Sequence, residues 1–543
     1  MGFKLLSRVI AAPSHFKFSK SPLNPQQFKE LVESGGTRNI RMIHSLCLKT
    51  RLVSDRPKVP QRFKDYDAQL EIFFMQRCIS YVFDSKFVET YALSKINRRN
   101  GIHPIPPEWI QILELNGFKI NKLLSKILWK LSLYKKGSKS FLGILQQLLS
   151  FRPYEFTMNQ PKDAGQITAW SNSINTKYFQ GDQLNLYTFK NWLEMKSPIS
   201  GKIINLHSTH FSLEKTSDNS IDQSFQVGSI QISKGLRSRY FLDLLAILMI
   251  GTIKSILGKP EFLSMGHDLA LALRVHASDK QQLPDYIFFT ESNGILKPLW
   301  TNAAEEKGAN VVVIFFSACD TPMLRNEVTP SFEIYNCSSW REFWVVDETQ
   351  RTLLESKVGI GNADYLVVGF PWRTDEKIHI KTPYKRLIAI FDYENIEGFY
   401  TFSTLNDVGY CGSDKEIRFL NDILEVSESF DLEIVHKPKR EIPSMKRSQA
   451  YRETLIRLEE RSSYRRINAD TSPNQLIDIA DYVISLPVTS TAIIAKYAGK
   501  TSIYYDPIGL LDPTDICFRG VLLVQGRESL RKWFQTNFSN YED

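Results

Sequence analysis

The stretch Asp481-Tyr-Val-Ile-Ser-Leu-Pro-Val-Thr-Ser-Thr-Ala-Ile-Ile-Ala-Lys-Tyr-Ala-Gly499, continued by Lys500-Thr-Ser-Ile-Tyr-Tyr-Asp506, decides the fold. Asp481–Ser485 is a short apolar run of the kind that forms a buried strand. Hydroxyl residues follow it. Ser490–Tyr497 then reads as a helix that stops at Gly499, and Ser502–Tyr505 as a second buried strand. Strand, helix and strand in immediate succession are the unit of a parallel α/β sheet.

The rhythm extends in both directions from that unit. Before it lie predicted strands Arg386–Phe391 and Leu432–Val435 and helices Ser413–Glu428 and Gln449–Glu460. After it, Val521–Val524 and Glu528–Phe534 read as strand and helix. An earlier block repeats the alternation. Its predicted strands are Tyr286–Thr290, Asn310–Phe316, Glu342–Val346 and Tyr365–Gly369, and its helices Pro298–Glu306 and Glu348–Ser356. The two blocks divide near 372–385. The expected fold class is α/β, with two facing Rossmann-like lobes preceded by a mainly helical basic region. The expected boundaries are 1–160, 161–384 and 385–543, and ligands are expected where the C-terminal strand ends of both lobes meet.

A length of 543 residues suits about three to four ordinary domains or two large ones. An apolar fraction of 43% and a charged fraction of 23% exclude a mainly disordered, collagen-like or coiled-coil chain. The net charge of +9 is unevenly placed: residues 1–150 hold 25 Lys/Arg against 10 Asp/Glu, and the rest hold 43 against 49. The basic excess implies an anionic partner for that first quarter, or a solvated basic face. Within it, Phe73–Tyr91 reads as helical, and Pro107 opens a helix that ends near Gly117. From Ile120 to Leu149 leucines and isoleucines recur at helical spacing, interleaved with lysines. That pattern suits a helix on an anionic membrane surface, and equally a packed helix with a lysine-rich outer side. The aromatics sit in apolar runs and offer no base-stacking platform, so no nucleic-acid partner is expected. Residues 160–235, rich in Ser, Asn and Thr, read as loops or short strands. The longest apolar run, Leu244–Ile253, is half the length of a membrane span and is expected to be a buried core helix.

Cys47, Cys78, Cys319, Cys337, Cys411 and Cys517 lie too far apart for a CxxC metal site and fit a reducing compartment. The N-terminus does not read as a secretory signal, and Leu6 stands where a myristoylation motif needs Ser or Thr. A cytoplasmic protein, peripheral at the inner face of the plasma membrane, is expected. No GxGxxG, GxxxxGK[ST], HExxH or GxSxG occurs, which lowers hydride transfer, kinase-type phosphoryl transfer, zinc hydrolysis and α/β-hydrolase chemistry. No metal site and no cofactor are expected.

Four constellations could carry chemistry. Thr489, Ser490 and Thr491 stand at a strand exit where a helix opens. One hydroxyl suffices for a cap, so three are read as phosphate ligands. His436, Lys437, Lys439 and Arg440 follow a buried strand around Pro438, four cationic or titratable groups suited to an anion. Asp506 ends a strand before Pro507 and Gly509, where it could accept from a sugar hydroxyl or cap its own turn. Glu291, Asp347 and Glu348 leave strands of the first lobe and are candidate general bases, or routine caps.

The segment Tyr482–Lys496, with Ser502–Gly509, resembles the bacterial surface-carbohydrate or polysaccharide biosynthesis proteins named for a Pro-Phe-Thr-Ser motif. Val488 stands where that motif has Phe. Lys437–Arg440 and Pro298–Trp300 match two further family elements, and the likeness covers roughly 285–540. The resemblance implies a glycosyltransferase of the two-Rossmann-lobe (GT-B) type acting on O-antigen or capsule. A looser likeness to bacterial sialyl- and Kdo-transferases implies a CMP-linked donor, with His436-Lys437-Pro438 and Ser490-Thr491 as counterparts of their His-Pro and Ser-Ser/Thr elements. The implied partners are a nucleotide sugar and a lipid-linked or growing glycan, with the basic 1–150 segment against an anionic membrane. On this reading 161–384 holds the acceptor and 385–543 the donor. Lys437, Lys439, Arg440, Thr489, Ser490, Thr491 and Asp506 contact the donor, and His436 donates to the leaving phosphate. Rivals are a non-catalytic assembly factor, an epimerase and a polyol-phosphate transferase.

Overall fold

The computed structural model describes residues 57–538, except 83–99, 150–166, 172–185, 200–202, 209–226, 228–229, 291–295, 319–334, 336–337, 357, 359–361, 372–385, 393–412, 440–447, 470 and 488. Among the described residues the α-helices α1 (Asp67–Val82), α2 (Pro107–Leu115) and α3 (Lys122–Leu149) come first, after a 3-10 turn at Gln61–Tyr66. Pro107 sits at the first turn of α2, where its missing N–H costs nothing.

The first sheet is built from β1 (Ile167–Ser171), helix α4 (Leu186–Met195) and β2 (Ile203–Ser208), which lie in the stretch read as loops or short strands. Helices α5 (Arg237–Ile256), α6 (Glu261–Ser264) and α7 (Gly266–Ala277) follow. Then come β3 (Tyr286–Thr290), α8 (Leu299–Glu306), β4 (Asn310–Ile314), β5 (Glu342–Val345), α9 (Glu348–Glu355) and β6 (Asp364–Val367). The six strands run parallel in the order β2-β1-β3-β4-β5-β6.

The second sheet uses β7 (Leu387–Phe391), α10 (Ser413–Ser427), β8 (Glu433–Lys437), α11 (Gln449–Glu459), β9 (Tyr464–Arg466) and α12 (Pro473–Ile479). It continues with β10 (Tyr482–Ser485), α13 (Thr491–Tyr497), β11 (Thr501–Asp506), β12 (Leu522–Gln525) and α14 (Arg527–Phe538). Its six parallel strands follow the order β12-β11-β10-β7-β8-β9. The chain thus winds outward from β7 through β8 and β9, then returns to lay β10, β11 and β12 on the other side. Both sheets are doubly wound Rossmann-like lobes, and the second has its topological switch point between β7 and β10.

Both faces of each sheet are covered. In the second, Ile388, Ile390, Ile434 and Ile484 pack on one side, and Leu387, Ala389, Val435 and Val483 on the other. In the first, Phe289, Val313 and Val345 face one core, and Phe288, Val312 and Trp344 the other. This two-sided burial is why the strands read as continuous apolar runs rather than alternating ones.

Leu244–Ile253 lies inside α5, as an apolar run bounded by charges should. It is buried on one side only: Met249 and Ile253 are exposed, which differs from the buried core helix expected. Among the described residues no helix is long and apolar enough to cross a membrane.

Candidate active site

Crevices outside the C-terminal strand ends at a switch point are where such sheets bind ligands. In the second lobe that crevice is bounded by the residues after β7 and after β10. Thr489, Ser490 and Thr491 stand there. The Thr489 hydroxyl donates to the Leu486 carbonyl at 2.9 Å, and Thr491 Oγ1 lies 2.8 Å from the Ser485 hydroxyl and 3.1 Å from that of Thr489. These bonds fix the turn. Ser490 is the N-cap of α13 by position, yet its side chain makes no capping bond. Its Oγ instead accepts the N–H of Ala318, from the segment after β4 of the other lobe, at 3.0 Å. Among the described residues the Ser490 O–H proton has no acceptor, so it remains able to donate. Simple capping, the other reading of these hydroxyls, does not describe Ser490.

The basic cluster is arranged differently from the expectation of four groups around one point. All five residues of β8 are buried, so His436 and Lys437 lie within the sheet rather than beyond its rim. His436 Nδ1 lies 2.7 Å from the Tyr464 hydroxyl. Its Nε2 lies 3.0 Å from Asp392 Oδ2. With both ring nitrogens engaged and both side chains fully buried, His436 does not reach a leaving phosphate, which corrects its expected role. Lys437 Nζ donates to the carbonyls of Pro438 and Ala469 at 3.2 and 2.8 Å, stapling the segment after β9 to the end of β8. Its charge therefore points inward, also contrary to expectation. Lys439 is exposed at the strand end, and Arg440 lies outside the described residues.

Asp392, the first residue past β7, was not anticipated from the sequence. Its Oδ2 accepts from the Tyr451 hydroxyl at 2.5 Å. Burial pushes its carboxyl upward, but the attraction of the His436 ring, the Tyr451 hydroxyl and the Lys439 N–H more than offset this and hold it below the ordinary value. Asp392 therefore ties β7, β8, α11 and the start of the Lys439 loop together. A carboxylate directly after a five-residue apolar strand was the available signal.

Asp506 is fully buried. Its Oδ1 accepts the N–H groups of Ile508 and Gly509 at 3.1 and 2.9 Å. Its Oδ2 accepts from the Leu511 N–H and the Gln525 amide, both at 3.1 Å. A carboxylate has about four acceptor positions, and this turn fills them. The turn-holding alternative is the one the geometry shows, in place of a sugar contact.

Asp347 caps α9, accepting the Gln350 N–H at 2.8 Å. Its other oxygen accepts from Arg519 Nε at 2.5 Å and from the Tyr497 hydroxyl at 3.1 Å, both in the second lobe. Gln350 in turn donates to the Ser317 and Ala318 carbonyls at 3.0 and 2.8 Å. Asp347, Gln350, Ala318 and Ser490 thus form one continuous clasp across the lobes. The Asp347 carboxylate is engaged by a guanidinium, a phenol and a helix start, which fill three of its about four acceptor positions. The geometry shows the cap that was the alternative to a base. Arg519 has φ 52°, the only positive φ among described non-glycine residues. The loop accepts that left-handed conformation while placing the guanidinium on Asp347. Glu348 is exposed in the first turn of α9, 3.5 Å from Arg351, and Glu291 lies outside the described residues. Among the described residues no group of His, Cys, Asp and Glu could hold a metal ion.

Among solved structures, the chain is similar to a glycosyltransferase from Rickettsia africae at 13% identity, covering 69% of this chain and 88% of that one with a TM-score of 0.36. It is similar to an E. coli trehalose-6-phosphate structure bound with UDP-2-fluoro glucose, at 11% identity, 69% and 92% coverage and a TM-score of 0.38. MurG from Acinetobacter baumannii gives 10%, 68% and 90%, with a TM-score of 0.33. No curated protein matches the chain. The model of the polysaccharide biosynthesis PFTS motif proteins matches residues 251–534, from within α5 to within α14 and so through the whole switch-point crevice. With the match spanning more than half its length, the chain belongs to the polysaccharide biosynthesis PFTS motif family.

Proposed function

We propose that this protein is a metal-independent glycosyltransferase that moves a sugar from a nucleotide donor to a surface polysaccharide acceptor, O-antigen or capsule. The observation that carries the reading is Ser490. It sits at the switch point of the second sheet, held by an amide from the first lobe, with a hydroxyl proton still to give. The donor phosphate would take that proton in a hydrogen bond. Lys439, at the adjoining strand end, would offset the charge that grows on the leaving phosphate. Thr489 and Thr491 would keep the Ser490 turn in place. Arg440 would add a second cation beside Lys439.

The Asp392–His436 pair positions the Lys439 loop and takes no proton from substrate. Of the candidate bases, Glu348 and Glu291 remain to deprotonate the acceptor hydroxyl. Lobe closure over the clasp would exclude water that would otherwise hydrolyse the donor. The acceptor would be lipid-linked or a growing glycan, with the protein in the cytoplasm against the inner membrane face and residues 1–150 on the membrane side. The looser likeness to sialyl- and Kdo-transferases favours a CMP-linked donor.

The test is sugar transfer by purified protein with Ser490→Ala and Lys439→Ala variants, with and without EDTA. Each substitution is expected to lower kcat/KM by about tenfold to a hundredfold, the scale of one lost charge-assisted contact of about 1.5–3 kcal/mol. Wild-type transfer in both variants would remove the phosphate assignment, and donor binding without any transfer would favour an epimerase. Absence of nucleotide binding would favour an assembly factor.

A further inference from the structure

Among the described residues, the helical layer turns an apolar face outward. α3 buries Trp129, Leu133, Gly137 and Ile144 on one side. On the opposite side Leu124, Ile127, Leu131, Leu142 and Leu149 recur at whole turns of the helix and are 41–78% exposed. The solvent side of a surface helix is ordinarily polar. α5 repeats the pattern. It buries Tyr240, Leu244, Ile247 and Gly251, and turns Leu242, Met249, Ile253 and Ile256 outward, 53–79% exposed. The two helices adjoin: the exposed Tyr134 of α3 donates its hydroxyl to the Ser255 carbonyl near the end of α5 at 2.8 Å. α3 also carries six lysines and no acidic residue, and Lys254 and Lys259 stand at the end of α5. Lys122 is paired with Glu114 and Lys130 with Glu261.

We infer that the joint face of α3 and α5 seats on an anionic lipid bilayer. The apolar ridges enter the boundary between headgroups and acyl chains, and the lysines meet lipid phosphates. The inference deepens the membrane side of the proposed function and gives it a surface. Charge complementarity selects the occupant. A second copy of this chain would set lysines against lysines, whereas an anionic bilayer supplies both the apolar layer and the opposite charge. α3, about 42 Å long at 1.5 Å per residue, would lie flat rather than cross, because lysines recur along its whole first half.

The test is co-sedimentation of the full-length protein with phosphatidylcholine vesicles and with vesicles containing phosphatidylglycerol. The protein is expected to pellet with the anionic vesicles only, and high salt should release it. Leu131→Ser/Met249→Ser/Ile253→Ser is expected to lower partitioning by about tenfold or more, and Lys135→Gln/Lys139→Gln to weaken it on anionic vesicles alone. Should the triple variant not fold, Leu131→Ser alone, at an exposed position, gives the same comparison. Failure to pellet with either vesicle, unchanged partitioning of a folded variant, or a wild-type dimer that the triple variant turns into monomer would overturn the inference. The thermal shift of the triple variant on adding nucleotide reads the crevice separately, so loss of vesicle binding with that shift intact distinguishes the two failures.

Discussion

Asp347→Asn separates the clasp from catalysis. Asparagine caps a helix about as well as aspartate, so the bond from the Gln350 N–H survives. What is lost is the charge facing Arg519, whose side chain is 2% exposed and 2.5 Å from the carboxylate. Removing one partner of a buried pair costs about 3–5 kcal/mol, because the remaining charge stays desolvated. Asp347 itself is 12% exposed by side chain, which places the expectation at the lower end, about 3 kcal/mol. At about 2–4 °C per kcal/mol for a lobe of this size, the melting transition should fall by roughly 6–12 °C in scanning calorimetry. Asp347→Ala also loses the cap and should cost about 1 kcal/mol more. The double variant Asp347→Ala/Arg519→Ala should be destabilised by less than the sum of the two singles, the sign of a coupled pair. Burial, then the neighbouring Asp347, pushes the Tyr497 phenol up to about 12, so it stays a neutral donor and cannot replace the lost charge. If Asp347→Asn melts with the wild type while sugar transfer collapses, the residue belongs to the chemistry and the clasp argument is wrong.

Further outcomes follow from the same contacts. Asp392→Asn should destabilise by about 1–3 kcal/mol at neutral pH, since it removes the buried carboxylate that faces His436 and accepts from Tyr451. Because the folded carboxyl of Asp392 lies below its unfolded value, its contribution is present above that unfolded value, near pH 4, and is lost as pH falls through the folded one. Acid unfolding followed by tryptophan fluorescence should therefore be less steep below about pH 4 in Asp392→Asn. Asp506→Ala leaves four N–H donors without their acceptor and should cost about 3 kcal/mol or more. A large rise in donor KM at unchanged urea midpoint would instead return Asp506 to the sugar. Arg519→Gly should melt higher than Arg519→Ala by about 1 kcal/mol, since glycine takes the left-handed backbone without strain.

Much of the second lobe is legible in its sequence because its strands are buried on both faces. Uninterrupted runs such as Arg386–Phe391 and Asp481–Ser485 have few other readings. The same burial hides the fate of His436 and Lys437. Read as rim residues, they lie inside β8, because the strand runs to Lys437 before Pro438 ends it. β1 and β2 fall in the stretch read as loops or short strands, because each is short and set among serines and asparagines, and it is the pairing of β1 with β2 and with β3 that makes them part of a sheet. The lobe clasp is not legible at all. Asp347 and Arg519 are 172 residues apart, and Arg519 carries no local signal for its left-handed backbone beyond the Gly520 that follows. Ser490 was legible as one of a group of hydroxyls. That it alone keeps a proton to give is a property of the bond from Ala318.

The central claim is that the crevice holding Ser490 takes a nucleotide donor. The direct measurement is a thermal-shift series with CMP, UDP, GDP, CDP and ADP, each with and without EDTA, on wild type and Ser490→Ala. A nucleotide at 100 times its Kd adds about 2.7 kcal/mol to the folded state. The account predicts stabilisation by one nucleotide, unaffected by EDTA and largely lost in Ser490→Ala. A folded protein that no nucleotide stabilises, or one whose stabilisation survives Ser490→Ala intact, would contradict it.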